Sequence, residues 1–403
     1  MYFEKCPSVL IIGAGVYVCG RNTEGFGTVL PTLMEAQNKG LIGEILVAGT
    51  RAESVKTLQD KLAEINNSMG THVQVTGYPK NNESNPLAYR QALQELSQPA
   101  CAIVVAPDHL HSSITADTVR AGVHSLVVKP LAPTLREAND LVEMVEAHKV
   151  YGAVEFHKRF DEANLLLRQA LANGRLGNVC YITVEYSQRR VVKGIFQSWL
   201  HHTNVFQYLG VHYVDLIYFV TGARPVRVLA MGYPNGQSNG DEFTFEAIQA
   251  LVEWEYPHSS QRFVSTIVTN WIDPDASTAM SDQKITVVGT LGRYQSDQKH
   301  RGVQMVTDDG QEDINPYFAQ CYVDATGEFS IKGYGPSSIR QFLVDVRNLI
   351  NGNCQLEDLV LNRPSFRDGL VSTAVVEAVN HSLSREGEWV TIDHPSLCKN
   401  EVL

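Results

Sequence analysis

The stretch from Ser8 to Gly20 constrains the fold more than any other part of the chain. Val9 to Ile12 form an unbroken apolar run, and Gly13 and Gly15 follow at once. An apolar run bounded by glycine is typical of a strand buried on both faces of a parallel sheet. The first glycine permits a tight bend, and the second lets backbone N–H groups approach a pyrophosphate. Because Val18 stands where the third glycine of this fingerprint belongs, the stretch predicts either a dinucleotide-binding turn or an ordinary strand–turn–helix.

Further apolar runs alternate with helical patterns as far as residue 150. Strands are predicted at 45–49, 101–106 and 123–128, and helices at 52–65, 87–96 and 113–121. Such alternation implies right-handed crossovers and a parallel sheet. From residues 178 to 192 and 225 to 314 the runs are long and β-prone, which indicates a large, mainly antiparallel sheet. We therefore expect an α/β chain, with a doubly wound Rossmann domain at 1–150 and an α+β domain with an open sheet at 151–403.

Composition and charge narrow the class of protein. The 403 residues carry a formal net charge of −11, which does not exclude a nucleic-acid surface, but no basic stripe argues for one, and no nucleic-acid partner is expected. The apolar runs stop short of the roughly 18 residues that a membrane span needs. The chain has seven cysteines, an odd number, and no Cys-x-x-Cys motif. Both facts argue against a disulfide framework and against a thiolate metal site. With no signal-peptide pattern at the N-terminus, these features predict a cytoplasmic protein.

Two polar segments follow buried strands, where ligands of open α/β sheets bind. The first is Ala106-Pro-Asp-His-Leu-His111, which either faces a cofactor through Pro107 and His111 or simply caps the next helix. The second is Lys129-Pro130. A lysine there is either a solvated loop residue or, when partly desolvated, a group that holds an alcohol or carbonyl oxygen.

The helix predicted from Val205 to Val220 carries a second set of polar side chains. Tyr208, His212 and Asp215 follow helical spacing and share one face. Histidine ordinarily titrates near neutral pH, so this set suits proton transfer. The alternative is a core helix with one satisfied histidine.

The end of the second predicted strand bears on the choice of cofactor. NAD sites usually place Asp or Glu there to hold the ribose 2′-hydroxyl. This chain has Thr50 and Arg51 instead. Arginine suits a 2′-phosphate, so NADP is slightly favoured over NAD, although Arg51 could equally be a surface residue of the following helix.

Taken together, these segments resemble the Gfo/Idh/MocA oxidoreductases, named after glucose-fructose oxidoreductase, inositol dehydrogenase and a rhizopine-catabolism protein. The resemblance covers nearly the whole chain, and five segments carry it: Gly13-Ala-Gly15, Ala106-Pro-Asp-His-Leu-His111, Ala121-Gly-Val-His-Ser-Leu-Val-Val-Lys-Pro-Leu131, His157-Lys-Arg-Phe160 and Gly210-Val-His-Tyr-Val-Asp215. It implies a Rossmann domain, a second domain whose open sheet often makes oligomer contacts, and nicotinamide-dependent oxidation or reduction of a sugar, cyclitol or related polyol.

The resemblance also implies roles for individual residues. Lys129 and His212 match the family's catalytic lysine and histidine, and Tyr208 joins them as a third expected catalytic residue. Val128 departs from the family's Glu-Lys-Pro motif, and Tyr208 stands where many members have Asp. The residues expected to bind cofactor are Gly13, Gly15, Val16, Thr50, Arg51, Pro107, His111 and Lys129, and those expected to bind substrate are Lys129, His157, Arg159, Tyr208 and Asp215.

The leading hypothesis is therefore an NAD(P)-dependent dehydrogenase or reductase that acts on a secondary alcohol or ketone of a carbohydrate-like substrate, as a homodimer or homotetramer without a metal. The first alternative is a glycosidase that uses bound NAD for transient oxidation. The second is a non-catalytic sensor of sugar or cofactor, against which the presence of Lys129 and His212 argues.

Overall fold

The computed structural model describes residues 4–81, 83–195, 199–234, 245–257, 259–323 and 325–392. Residues 1–3, on which the expected lack of a signal peptide partly depends, and Cys398 lie outside this set. The chain packs as two compact units. The first contains residues 1–131, 139–160 and 317–366, and the second contains residues 132–138, 161–316 and 367–403. The predicted functional boundary after residue 150 stays a prediction.

The first unit is built on a six-stranded parallel sheet with the order β3-β2-β1-β4-β5-β6. Its strands are β1 (Ser8–Ile12), β2 (Ile45–Ala48), β3 (Val75–Tyr78), β4 (Ala100–Val104), β5 (His124–Val128) and β6 (Gly152–Glu155). Every residue of β1, β2, β4 and β6 is buried, because helices cover both faces of the sheet. The predicted doubly wound Rossmann sheet is confirmed.

Helices alternate with these strands. They are α1 (Val16–Cys19), α2 (Val29–Asn38), α3 (Ala52–Met69), α4 (Ala88–Glu95), α5 (His111–Arg120) and α6 (Leu135–His148). Pro31 lies in the first turn of α2, where a missing N–H is harmless. Helix α3 ends at Gly70, which adopts the left-handed conformation that favours glycine.

A segment from late in the chain completes the core of the first unit. It contains β15 (Gln320–Val323), β16 (Phe329–Lys332), α10 (Tyr334–Ile350) and α11 (Leu356–Asn362). Phe342 of α10 stacks on Tyr151, with the ring centroids 5.6 Å apart. Phe366 packs so closely on β6 that a Cβ atom at Gly152 would come within 2.8 Å of its ring. The parallel sheet therefore depends on residues far along the chain for cover.

The second unit is built on a seven-stranded sheet with the order β12-β11-β7-β10-β9-β8-β17. Its strands are β7 (Val179–Arg189), β8 (Arg224–Pro234), β9 (Phe245–Glu255), β10 (Arg262–Asp273), β11 (Ser281–Gly289), β12 (Arg293–Asp297) and β17 (Val390–Thr391), and β13 (Val303–Thr307) and β14 (Gly310–Ile314) form a separate hairpin. All neighbours pair antiparallel except β7 and β10. The predicted large, mainly antiparallel sheet is confirmed.

Among the described residues of the second unit are the helices α7 (Glu162–Ala172), α8 (Arg190–Ile195), α9 (Val211–Thr221) and α12 (Phe366–Ser384), and the first residue of α12 is assigned to the first unit. Helix α7 begins at Asp161, whose Oδ1 accepts a hydrogen bond from the Ala163 amide. The same carboxylate, fully buried, accepts two hydrogen bonds from the Arg301 guanidinium and one from Gln298. Asp161 therefore joins the start of α7 to the chain beyond β12.

Candidate functional site

The predicted cofactor turn lies between β1 and α1. Gly13 has a φ of +126°, and a Cβ atom there would lie 2.1 Å from the Val105 carbonyl oxygen, so only glycine fits. Gly15 is different, because a Cβ atom there would meet nothing within 4 Å. The backbone of Gly15 and Val16 thus borders open space at the start of a helix, as the approach of a pyrophosphate requires. Val18, at the third glycine's position, is buried in the core.

The loop from Arg21 to Gly27, which follows α1, folds back toward α3. The Arg21 Nη1 donates a 2.7 Å hydrogen bond to Ser54 Oγ in the first turn of that helix. Thr50 and Arg51 are both exposed immediately before the helix, and the Thr50 carbonyl accepts a hydrogen bond from the Asn85 amide. The loop therefore places the Arg21 guanidinium at the start of α3, the helix that Arg51 immediately precedes.

His111 ties together the ends of two neighbouring strands. Its ring is fully buried, with Nδ1 2.7 Å from the Pro130 carbonyl oxygen and Nε2 2.8 Å from the Ala106 carbonyl oxygen. A neutral imidazole carries one N–H and can donate to only one of these carbonyls. Both ring nitrogens face backbone, so His111 fixes the chain next to Lys129. Its predicted contact with cofactor stays a prediction, as does that of the half-buried Pro107.

Lys129 follows β5 and lies at the carboxyl edge of the parallel sheet. Its side chain is partly exposed, yet enough protein surrounds the ammonium group that desolvation lowers the pKa of Lys129 from 10.5 to about 8. The carboxylates of Asp108 and Glu155 oppose this effect and raise the pKa. Lys129 is therefore a cation that can lose its proton close to neutral pH, and the charges of two acidic side chains favour its protonated form.

Glu155 ends β6 and belongs to a buried cluster at the same edge. Its Oε2 accepts a hydrogen bond from His157 Nδ1 at 2.9 Å. The His157 ring stacks on Tyr334 with the centroids 5.6 Å apart, and Tyr17 of α1 lies on another side with the centroids 6.4 Å apart. Burial, followed by the charge of Glu155, raises the pKa of Tyr17 well above its usual range. Tyr17, in the helix that follows the glycine turn, thus lies beside the cluster at the end of β6.

Arg159 occupies the short 3₁₀ helix that starts at His157. It is buried, and its guanidinium carbon lies 5.3 Å from the centroid of the Phe156 ring. The two predicted substrate ligands of this segment therefore lie in the first unit, at the carboxyl edge of the sheet. Contact of His157 and Arg159 with a substrate stays a prediction.

The remaining predicted residues lie in the second unit. Tyr208 belongs to a π-helical turn at Phe206–Gly210, and His212 and Asp215 follow in α9. His212 and Asp215 are buried, whereas Tyr208 is half-buried. The His212 ring lies 6.2 Å from the Tyr186 ring between centroids, and burial raises the pKa of Tyr186 to about 12. The π-helical turn with Tyr208 continues directly into α9, which contains His212.

The sequence interpretation did not single out Glu155 or Tyr17. One signal was present for Glu155, since it is the only charged residue in the apolar run Tyr151-Gly-Ala-Val-Glu-Phe156. A carboxylate in a strand that is buried on both faces needs a partner. Tyr17 had no comparable signal, because an aromatic residue in a first helical turn is ordinary. Among the residues that the structure describes, no group of three His, Cys, Asp or Glu side chains is arranged to hold a metal ion. Within the same residues, no helix has the length and apolar character to cross a membrane.

Two family models match the chain. One, described as the C-terminal alpha/beta domain of an oxidoreductase family, matches residues 168–392, more than half of the chain. The other, described as the NAD-binding Rossmann fold of that family, matches residues 40–156. The chain belongs to the Gfo/Idh/MocA oxidoreductase family. The second match begins at residue 40, after the glycine turn in which Val18 replaces the third glycine of the fingerprint.

Relatives with curated names are distant. An uncharacterized oxidoreductase of Schizosaccharomyces pombe is 30% identical over 22% of this chain, and the match spans only 24% of that protein's length. The inositol 2-dehydrogenase of Rhizobium meliloti is 20% identical over 73% of this chain and 82% of its own. Among solved structures, an inositol dehydrogenase homolog of Azotobacter vinelandii, complexed with NADH and myo-inositol, superposes with a TM-score of 0.70. It covers 96% of this chain and 98% of its own at 18% identity, a likeness that establishes the fold.

Proposed function

We propose that this protein is an NAD(P)-dependent oxidoreductase that transfers hydride between the nicotinamide and a secondary alcohol or ketone of a sugar, cyclitol or related polyol. The observation that carries the proposal is Lys129. It is a desolvated lysine with a pKa of about 8, at the carboxyl edge of a Rossmann sheet. The glycine turn ends a strand of the same sheet. Family membership and the inositol dehydrogenase relative support the substrate class.

The residues present fit a dinucleotide. The open space beside Gly15 can accept a pyrophosphate, which the backbone N–H groups at the start of α1 would hold. When bound, the nicotinamide supplies or accepts the hydride. We assign residues 1–150 to cofactor binding and residues 151–403 to substrate binding and oligomer contacts.

In this mechanism, the chain supplies the proton chemistry and the orientation. The Lys129 ammonium donates a hydrogen bond to the substrate oxygen and stabilises the negative charge that develops on it. His212 exchanges the proton of the hydroxyl group. Tyr208 orients the substrate or His212, with Asp215, His157 and Arg159 as further contacts to the substrate hydroxyls.

For the cofactor, we propose that NADP binds more tightly than NAD. Thr50 and Arg51 follow β2 without an intervening carboxylate, and Arg21 brings a second guanidinium to the first turn of α3. Guanidinium groups bind phosphate through paired hydrogen bonds, and neither side chain at 50 or 51 repels a 2′-phosphate.

We also propose a homodimer or homotetramer. One face of the seven-stranded sheet exposes Tyr181, Met231, Tyr233 and Val264, and exposed apolar side chains are available there for contacts between subunits. A cytoplasmic location and the absence of nucleic-acid and membrane partners are further parts of the proposal that come from the sequence.

The function is tested by a panel of sugars, cyclitols and amino-polyols, assayed with both cofactors by the absorbance of the reduced nicotinamide. We expect turnover with at least one polyol. His212→Ala should lose about a hundredfold or more of kcat, the scale of a positioned acid–base group. Tyr208→Phe should lose less, because the phenol only orients.

Three outcomes would contradict the proposal. Release of reducing sugar without net formation of reduced cofactor would indicate the glycosidase alternative. Tight cofactor binding without any turnover would indicate a sensor. An active His212→Ala variant beside an inactive Tyr208→Phe variant would reverse the roles of the two residues.

A further inference from the structure

The Glu155 carboxylate occupies an unusual position for an acidic side chain. It ends a fully buried strand and is itself 2% exposed. Oε2 accepts the hydrogen bond from His157, while Oε1 is buried and makes no hydrogen bond of ordinary geometry with the described residues. The Tyr17 hydroxyl lies close enough to Glu155 that the charge of the carboxylate and a hydrogen bond to it raise the pKa of Tyr17, although neither this hydroxyl nor Oε1 reaches full hydrogen-bond geometry. Burial of a carboxylate with so few well-formed hydrogen bonds costs stability.

The register of the sheet shows where the carboxylate acts. Strands β5 and β6 pair in parallel, with Val128 opposite Glu155. Paired residues of neighbouring strands lie on the same face of a sheet, and Lys129 follows Val128 directly. Glu155 therefore lies across the strand pair from the residue next to Lys129, and its charge favours the protonated form of Lys129.

We infer that Glu155 is a positioning residue that keeps Lys129 charged, with His157 holding the carboxylate in place. The effect of Glu155 on the charge of Lys129 does not depend on the proposed function. Only the expected effect on turnover rests on that function. Val128 stands where the Glu-Lys-Pro pattern has its glutamate, and the sheet register places the Glu155 carboxylate beside position 128 on the neighbouring strand.

Other charged and titratable groups around Lys129 set the size of the effect. Those on the elements at this edge are Asp108 after β4, His111 in α5, Tyr17 in α1, Tyr334 in α10, and His157, Lys158 and Arg159 after β6. Asp108 exerts a larger attraction on Lys129 than Glu155 does. Removal of Glu155 should therefore lower the pKa of Lys129 without abolishing its charge at acidic pH.

The test variant is Glu155→Gln, which removes the charge but keeps the shape and a hydrogen-bond acceptor for His157. Lysines are dimethylated with carbon-13 formaldehyde, and the resonance that is missing in Lys129→Arg is assigned to Lys129 and titrated in the protein without substrate. We expect the pKa of Lys129 to fall by about one unit. In turnover, the activity that needs the charged lysine is lost as pH rises through this pKa, so the alkaline limb of kcat/KM should move to lower pH by the same amount.

Two further variants make the result specific. Glu35→Gln removes another buried glutamate of the first unit, which pairs with Lys39 and Arg340, and should leave the titration of Lys129 unchanged. The double variant Val128→Glu, Glu155→Gln returns a carboxylate to the paired position on β5 and should restore the pKa toward the wild-type value. The double variant also answers the question if Glu155→Gln alone does not fold, since folding and titration would both recover.

The outcomes separate the inference from the function. An unchanged pKa of Lys129 in Glu155→Gln, or a double variant that titrates like the single one, overturns the role of Glu155 even if the enzyme turns over polyols. A lowered pKa that the double variant restores supports that role even if no polyol is a substrate, in which case only the proposed function fails.

Discussion

Replacing Lys129 by Met should inactivate the protein and at the same time make it more stable. The side chain is desolvated, so its ammonium group costs free energy in the folded state that it does not cost in the unfolded chain. Methionine is similar in length and carries no charge. The variant therefore removes the cost together with the group that we propose polarises the substrate oxygen.

The magnitude follows from the pKa of Lys129, which falls from 10.5 to about 8. Each pKa unit between the folded and unfolded chain corresponds to about 1.4 kcal/mol, which sets an upper limit of about 3.4 kcal/mol. Because the side chain is partly exposed, solvent screening reduces the effect, and we expect about 1–3 kcal/mol at pH 7. Turnover should fall by about a hundredfold or more.

The pH dependence has a defined sign and window. Below pH 8 the lysine is charged in both states, and the full cost is present. As pH rises from about 8 to 10.5, the folded protein releases the proton before the unfolded chain does, so the cost disappears. Urea unfolding of wild type and variant at several pH values measures the difference. We expect the variant to be more stable at pH 7 and the two curves to converge toward pH 10.5.

Equal stability of wild type and Lys129→Met at pH 7, or a difference that does not shrink as pH rises, would refute the reasoning that burial makes this lysine costly. Lys39→Met is a suitable control, because that lysine follows the end of α2, is exposed and pairs with Glu35 of the last helical turn. It should show no gain in stability.

Three further predictions follow from the geometry. Gly13→Ala should destabilise the fold by a few kcal/mol, because the new Cβ meets the Val105 carbonyl at a φ of +126°. Gly15→Ala should instead fold normally and weaken cofactor binding by about tenfold or more. Thermal unfolding measures the first effect and fluorescence titration the second, and equal effects of the two variants on folding would contradict the assignment. Asp161→Asn should cost about 3–5 kcal/mol, since it leaves Arg301 without its buried partner, and a loss below about 1 kcal/mol in urea unfolding would show the pair to be dispensable. Arg51→Ala should reduce the preference for NADP over NAD by about five- to 150-fold, the range of 1–3 kcal/mol for a charged hydrogen bond, and an unchanged ratio of dissociation constants would remove Arg51 from 2′-phosphate recognition.

The elements predicted best were those with long apolar or alternating runs. Strands β1, β4 and β5 and the large sheet of the second unit have such runs, and the structure contains them. Strand β3 was missed because its four residues include Thr76 and Gly77 and form no apolar run. The run predicted to continue as strand to residue 192 instead turns into α8 at Arg190.

The site was predictable where the signal is local in sequence. Lys129 follows a buried strand and His212 lies in a helix, and both positions can be read along the chain. The pairing of Val128 with Glu155 cannot, because it depends on the order and register of two strands separated by α6. The same reason explains why Tyr17 was not connected with His157.

The late segment that covers the parallel sheet has a consequence for biosynthesis. Ile339, Phe342, Leu343 and Val346 of α10 belong to the same apolar core as Val9, Ile11 and Leu126. During synthesis the first six strands leave the ribosome long before α10 is made, since nearly half of the chain lies between β6 and α10. Until then the nascent Rossmann sheet exposes an apolar strip along Leu126, Tyr151 and Ala153, where a chaperone would bind. A fragment ending near residue 160 should carry the same strip permanently and aggregate, so the six-stranded sheet is not expected to fold without the late segment.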